Sequence, residues 1–378
     1  VLGALRVRGP VVSASTTPTR RRLREPSRPL RHTDAGTKKL LAGGLVTMVA
    51  TGILVVYLAP LAYMGVTSLK SEDMIQDFRA PLLPAEPATI EVDGDALDIY
   101  AVPLEGPDGP LTDLALLQPG RQTSTFVAPA DPAGPPVEWE GNWRQLQPAY
   151  EFAPQLDNYS AAWDEMDFLV LLRNTVAIAV LGMVGTLVAS TLVAYGLSRF
   201  HMPFKRTIFV VLIATIILPK FVTLVPTYAL FFRIGWVGTW LPLIVPHFFG
   251  NAYNVFLLRQ YFLTLPKDLD EAAAIDGASP LRTLWSVILP QARPALVAVG
   301  IFHFFYAWND FFEPLVYLST RRDLQPIAVG LQIFNSLFDT SPHLIQAGAL
   351  LALAIPLAIF FFAQRVFLKG IDLSGVNK

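Results

Sequence analysis

Between two long apolar stretches of the chain lies the run Glu271-Ala272-Ala273-Ala274-Ile275-Asp276-Gly277, closed downstream by Leu289-Pro290. Its chemistry is that of recognition. A short charged helix with small alanines lets another protein surface approach closely, and a glycine ends it. The other residues able to do chemistry are polar groups inside apolar windows: Lys220, His247, Asn251, Asn254, His303, Asn309 and Asp310. Such groups are costly at membrane depth and usually face a bundle interior or a cavity. Catalytic patterns are missing. There is no Gly-x-x-x-x-Gly-Lys-Ser/Thr phosphate loop and no His-Glu-x-x-His spacing, and the five histidines are scattered. With 0 cysteines, thiolate metal sites, disulfides and cysteine nucleophiles are excluded. We therefore expect no catalytic residue, no metal and no cofactor in this chain.

The elements that must position these groups are membrane spans. Hydrophobic residues make up 53% of the 378 positions and charged ones 16%, against about 25% charged in soluble domains. A net charge of -1 gives no reason to expect nucleic acid. Windows of roughly 20 apolar residues, enough to cross a hydrocarbon core, occur near Leu40 to Val66, Phe168 to Tyr195, Thr207 to Phe231, Trp240 to Leu258, Pro294 to Leu318 and Leu344 to Leu368. Six spans put both termini on one side. Arg28, Arg31, Lys38 and Lys39 precede the first span; Arg199, Lys205 and Arg206 follow the second; Arg259, Lys267, Arg282 and Arg293 follow the fourth. The positive-inside rule makes these loops, and both termini, cytoplasmic.

That topology divides the chain into a basic cytoplasmic tail, 1–39, a first span, 40–66, an extracytoplasmic insertion, 67–167, and a core of five spans, 168–378, with a cytoplasmic loop at 259–293. The insertion alternates in strand fashion at Thr89-Ile90-Glu91-Val92 and Leu97-Asp98-Ile99-Tyr100-Ala101-Val102, with Asp93-Gly94 as a turn, which predicts a hairpin. Further short runs, Thr123 to Val127 and Val137 to Trp139, lie between Pro- and Gly-rich turns such as Pro107-Asp108-Gly109-Pro110. A small β-rich lobe is the expectation; a Pro-rich disordered loop is the alternative.

In the cytoplasmic loop, Pro266 suits a first helical turn, Asp268, Asp270 and Glu271 complement the helix dipole, and Gly277 supplies a left-handed C′ residue. Ser279-Pro280 then starts a second helix before Leu289-Pro290 turns the chain back. Leu269, Ala272, Ala273 and Asp276 share one face of the first helix. So short a helix is marginal alone in water. Either a partner protein or the chain's own bundle must cover it.

Lys220 sits near the middle of the third span, just after Pro219. It either lines a translocation path, or the span breaks at Pro219 and the lysine snorkels or pairs with a neighbour. Asn251, Asn254, His303, Asn309 and Asp310 are further lining candidates, and Glu313-Pro314 marks a kink. Phe302, Phe304, Phe305, Tyr306, Phe311 and Phe312 suit stacking on sugar rings as well as packing or lipid contact.

The Glu-Ala-Ala island, with Gly277 and Leu289-Pro290 in register and Val287 where an isoleucine is usual, resembles the EAA loop of binding-protein-dependent ABC importers. The likeness continues through Leu156-Asp157-Asn158-Tyr159, Arg173-Asn174-Thr175, Ala194-Tyr195-Gly196-Leu197-Ser198-Arg199-Phe200, Trp308-Asn309-Asp310-Phe311 and Lys369-Gly370. Together these resemble carbohydrate-type permease subunits over Leu40 to Val66 and from about Phe152 onward, leaving the insertion uncovered. The resemblance implies an all-α polytopic membrane protein of the MetI-like permease fold, with six transmembrane helices and the β-rich insertion, in a bacterial or archaeal inner membrane. It implies that Lys267 to Ala278 form a coupling helix seated on a cytoplasmic ATPase dimer, where ATP is bound and hydrolysed. Glu271 would make the polar contact, Ala272 and Ala273 allow close packing and Gly277 turn the chain, with Asp270, Asp276, Leu289 and Pro290 completing the coupling set. Leu373-Ser374-Gly375-Val376 is a second candidate contact. A second permease subunit, an extracytoplasmic solute-binding protein and the lipid bilayer are the remaining implied partners. An ion-coupled secondary transporter, using Lys220 and Asp310, and a membrane-anchored sensor are the competing classes.

Overall fold

The computed structural model describes residues 33–372 apart from 78, 93, 105, 107, 108 and 336–339, without the side chains of 33–38, 40 and 365–372. The basic run at residues 20–31, Asp93 and Pro107-Asp108 of the two expected turns, the Lys38 and Lys369 side chains, and the tail residues Leu373 to Val376 lie outside the described part. Contacts divide the chain into a first unit ending at Ala59 and a second beginning at Pro60.

Helix α1 (Thr33–Thr67) runs from the first unit into the second. Its apolar window, within Leu41–Thr67, has 0% of its residues buried, and Leu45, Val49, Ile53 and Val56 are exposed.

After α1, the chain makes a short helix α2 (Glu72–Gln76) and enters the predicted β lobe. Its strands are β1 (Ala85–Pro87), β2 (Thr89–Val92), β3 (Asp95–Pro103), β4 (Leu111–Gln118), β5 (Thr123–Val127), β6 (Val137–Glu140), β7 (Gln147–Pro148) and β8 (Tyr150–Phe152). All described pairings are antiparallel. The main sheet runs β2-β3-β4-β5-β6 with β7 also on β3, and β1 pairs β8. The hairpin read from Asp93-Gly94 is present: Val92 pairs Asp95, and Gly94 has the left-handed φ of +94° that such a turn requires. Alternation gives the sheet two apolar faces. Tyr100, Val102, Leu114, Leu116 and Phe126 pack on one, and Ile99, Ala115 and Val127 pack with Ala88 on the other. Helix α3 (Asp157–Glu165) closes the insertion. The Asn158 amide donates to Ser68 O and Lys70 O, both at 2.9 Å, and Ser68 Oγ lies 2.8 Å from Tyr159 OH. These bonds staple the lobe's two ends together.

The helical part contains α4 (Phe168–Arg199), α5 (Lys205–Ala214), α6 (Lys220–Arg233), α7 (Leu241–Ile244), α8 (Ala252–Thr264), α9 (Asp268–Ile275), α10 (Pro280–Thr283), α11 (Leu289–Gln291), α12 (Arg293–Trp308), α13 (Phe312–Tyr317), α14 (Ile327–Gly330) and α15 (Pro342–Asp372). By length and composition, four helical stretches are able to cross a membrane: Leu41–Thr67, Phe168–Arg199, Leu241–Thr264 and Pro342–Gln364. Two bent pairs raise the number to six if each is one span: Lys205–Ile217 with Lys220–Arg233 at 97°, and Pro280–Gln291 with Arg293–Trp308 at 83°.

Helix breaks fall inside three of the apolar windows. In the third the helix breaks at Leu218-Pro219, because Pro219 offers no N–H to the preceding turn. Lys220 is the first residue of α6 and does not sit in mid-helix. The fourth is interrupted at Gly250-Asn251, where Gly250 takes φ +85° and the Asn251 side chain caps α8 by accepting from Tyr253 N (3.0 Å) and Asn254 N (3.2 Å). The expected fifth window also divides. Helix α12 ends at Trp308, and α13 is a separate short helix after Asn309-Asp310.

Two motifs from the sequence tie the bundle together. The Asn174 amide, fully buried on α4, donates to Asp323 O and Gln325 O at 2.9 Å each. Thr175 Oγ1 donates to Leu171 O and accepts from Ile327 N. The loop before α14 is thus hung on α4. A second cluster, Ala194, Leu197, Val255, Leu258, Phe262, Leu284, Ile288, Ala292 and Val299, packs α4, α8, the loop helices and α12 into one core.

Candidate functional site

Helix α9 begins at Asp268 with Lys267 as N-cap, two residues later than Pro266 suggested, and Leu265 before the proline is extended. Its end follows the sequence closely. Gly277 has φ +74°, Gly277 N donates to Ala274 O at 3.0 Å, and Ala278 N donates to Ala273 O at 2.9 Å, the paired bonds of a Schellman motif. Ser279 then caps α10 by accepting from Arg282 N at 3.4 Å, with Pro280 in the first turn. The chain between α10 and α11 widens into a π-helical turn, Leu284–Ile288. Pro290 lies just beyond it; having no N–H and a bulky ring, it breaks the regular bond ladder at that place.

The covered side of α9 cuts across the face outlined by Leu269, Ala272, Ala273 and Asp276. Ala273 is buried and Leu269 half-buried, but Ala272 and Asp276, assigned to the same face, are exposed. The reason is Asp270. Its Oδ2 lies 3.2 Å from Nε of Arg199, the last residue of α4, whose side chain is only 6% exposed. Arg199 Nη2 also donates to Leu265 O at 3.1 Å. The ion pair turns α9 so that Leu269, Asp270 and Ala273 meet the bundle. Glu271, Ala272, Ile275 and Asp276 point away. Ile275 is 86% exposed and Trp285 77%; Leu281 is exposed as well. These three apolar side chains escaped the sequence reading. Their signal was large apolar residues inside an otherwise charged loop. Leu289 is half-buried and Pro290 exposed.

A cavity of about 490 Å³ opens among α6, the α7–α8 segment, α12 and α13. It gathers Lys220, Asn251, Asn254 and His303 from the proposed path, with His247 beside them. Asn309 lies elsewhere, on a largely apolar groove with Phe305, Trp308 and Pro356, and its amide donates to Phe305 O. Asp310 is outside the lining but accepts from Glu313 N at 3.4 Å. Lys220 is paired: its Nζ is 3.4 Å from Glu313 Oε1 and 4.1 Å from the centre of the Tyr306 ring. The His303 Nδ1 is 3.0 Å from Thr186 Oγ1, and its ring meets His247 edge to face with centroids 4.5 Å apart. Gly182 makes room for this pair, since a Cβ there would come within 2.7 Å of His303 Nε2. Tyr306, one of the aromatics suited to sugar stacking, and Glu313 of the Glu313-Pro314 kink also line the cavity; Thr223 and Tyr317 carried no signal in the sequence, because what selects them is a fold-level meeting of α6 with α12 and α13. Among the described residues, no group of three or more His, Cys, Asp or Glu is placed to hold a metal.

Outside the spans, burial lowers the Lys70 ammonium, which donates to Pro81 O at 2.8 Å. The hydrogen bond from Arg321 holds the Asp323 carboxyl below its usual range.

The structure thus carries a helix–glycine–helix loop locked to the end of a long apolar helix and, separately, a polar cavity within the bundle. The family model described as "Binding-protein-dependent transport system inner membrane component" matches residues 172–372. The chain belongs to this family. It is 30% identical to the osmoprotective compounds uptake permease protein GgtD of Synechocystis sp., over 67% of this chain and 85% of that protein. It is 30% identical to the diacetylchitobiose uptake system permease protein NgcG of Streptomyces coelicolor, over 64% of this chain and 77% of that one. Identity to the sn-glycerol-3-phosphate transport system permease protein UgpE of Rhizobium meliloti is 33%, over 53% and 71% respectively. A chain from the crystal structure of a bacterial ABC transporter involved in the import of the acidic polysaccharide alginate shares the fold, with a TM-score of 0.57 at 20% identity over 86% of this chain and 95% of that chain. This family member is a mostly helical membrane permease component bearing a small β insertion.

Proposed function

We propose that this chain is one transmembrane subunit of an ATP-driven importer for a carbohydrate-like solute, and that α9 carries the stroke of a cytoplasmic ATPase dimer into the helix bundle. The observation that carries this reading is the way α9 is held: Asp270 is locked to Arg199 while Glu271, Ala272, Ile275 and Asp276 are left uncovered. A helix of eight residues is too short to persist by itself. Fixed at its inner face, it transmits a push without folding away. Gly277 and the Ser279 cap set the corner between α9 and α10, and the packing of Leu284 and Ile288 against Leu258 and Phe262 passes displacement to α8 and α12.

In this account the chemistry of ATP belongs to the partner chain, and the present residues bind, orient and move. A second permease subunit completes the pathway, an extracytoplasmic binding protein delivers the solute, and the β lobe faces outward with both termini in the cytoplasm. The solute class draws support from a relative named for diacetylchitobiose uptake.

Affinity capture of a co-expressed ATPase tests the reading. The intact chain retains the ATPase, and Glu271→Lys weakens retention because it places a like-sized opposite charge on the exposed face. Unchanged retention counts against it. In reconstituted vesicles, uptake follows internal ATP and ignores a collapsed proton gradient; the reverse dependence identifies an ion-coupled carrier.

A further inference from the structure

The cavity holds one group that packing alone leaves without a use. The Asn254 side chain is 7% exposed, lines the cavity and has no hydrogen-bond partner among the described residues. His303, also in the lining, is held through Nδ1 by Thr186, while its Nε2 is buried against Gly182 of α4. Buried polar groups are normally satisfied, and an orphaned one marks a place where another molecule completes the bond. Around them stand the Thr223 and Tyr317 hydroxyls and the faces of Tyr306 and Phe302. The volume, about 490 Å³, falls within the range of small-molecule sites.

The charges decide what kind of molecule suits it. Among the lining residues Lys220 is matched by Glu313, and Asp310 adds a second carboxylate one turn away. An anion entering would meet a cation already compensated, at 3.4 Å, and a further negative group behind it. A neutral polyol meets amide and hydroxyl groups at its rim and aromatic faces for its C–H surfaces.

We infer that this cavity is a solute site within this subunit, selective for a neutral saccharide over a phosphorylated or carboxylated one. The inference rests on the importer reading for its place in transport. Asn254 hydrogen-bonds the sugar; the Thr223 hydroxyl, which donates to Lys220 O at 2.9 Å, accepts from it; Tyr306 meets it with the ring face that Lys220 leaves uncovered; and Glu313 keeps Lys220 from recruiting anions.

The test is direct binding to the full chain in lipid nanodiscs by saturation-transfer NMR, with maltose, N,N′-diacetylchitobiose and sn-glycerol 3-phosphate as probes. The intact chain transfers saturation to at least one neutral sugar and not to sn-glycerol 3-phosphate. Asn254→Leu weakens sugar binding about tenfold, and Thr223→Val, at an exposed position that cannot compromise folding in the same way, weakens it in the same direction. Glu313→Gln uncovers Lys220 and brings sn-glycerol 3-phosphate binding into view. Binding of sn-glycerol 3-phosphate by the intact chain, absence of binding by either sugar, or indifference to Thr223→Val and Glu313→Gln would overturn the inference. Co-purification of an ATPase is scored separately, so failure of the importer reading is told apart from failure of the site.

Discussion

Replacing Asp270 by asparagine keeps the shape of α9 and removes only the charge that meets Arg199. The wild-type contact, 3.2 Å from Nε to Oδ2, lacks hydrogen-bond alignment, so its attraction is chiefly coulombic. The Arg199 side chain is 6% exposed and would retain Leu265 O as a partner. Removing one member of a fully buried pair costs about 3–5 kcal/mol. Asp270 is 24% exposed, so water screens part of the loss and about 1–3 kcal/mol is the expected cost. That falls on α9 itself, which then opens about 5–150-fold more often. Hydrogen exchange reads this directly at the Gly277 and Ala278 amides, which are bonded to Ala274 O and Ala273 O. Arg199→Met gives a loss of similar size, and the double variant is no worse than the harsher single one. Strictly additive losses, or unchanged exchange in both singles, would refute the idea that this pair anchors the helix.

Gly277→Ala forces a side chain into φ +74° at a cost of about 1–2 kcal/mol, and the expected outcome is weaker ATPase retention with unchanged membrane insertion, checked by capture and fractionation. Asn174→Ala strips the donor from Asp323 O and Gln325 O; thermal unfolding should show a loss of about 1–3 kcal/mol, with exchange rising at Ile327 and Val329. Burial, and then the Asp77 carboxylate, raise the Tyr150 phenol above its usual value of 10.0. The folded lobe therefore holds that proton more tightly than the unfolded chain does. Its contribution is complete below pH 10.0 and fades as pH rises through the folded value; alkaline titration by circular dichroism should show Tyr150→Phe flattening this decline.

Local chemistry made some of this structure readable in advance. The α9–α10 corner is a matter of adjacent residues: Gly277 for the left-handed turn, Ser279 for the cap and Pro280 for the first turn. The β2–β3 hairpin likewise rests on alternation around one Asp-Gly pair. What stayed hidden depends on residues distant in sequence. Lys220 meets Glu313, Arg199 meets Asp270, and Asn174 reaches Asp323 and Gln325, and no periodicity within one element reports such meetings. The covered side of α9 stayed hidden for this reason, since the ion pair draws Asp270 in with Leu269 and Ala273 and leaves Ala272 and Asp276 exposed. Apolar windows also run through breaks. Leu218-Pro219 and Asn309-Asp310 interrupt helices without interrupting hydrophobicity, so composition sees one span where the backbone bends.

The account turns on whether α9 touches an ATPase with its outward face. The chain contains 0 cysteines, so single cysteines introduced in place of Glu271, Ala272 and Ala273 give an unambiguous cross-linking map in membranes carrying the co-expressed ATPase. Adducts with the ATPase are predicted from the first two positions, and none from Ala273, which is 7% exposed against the bundle. No adduct from either exposed position, or labelling of them only by a reagent confined to the outer side of intact cells, would contradict it.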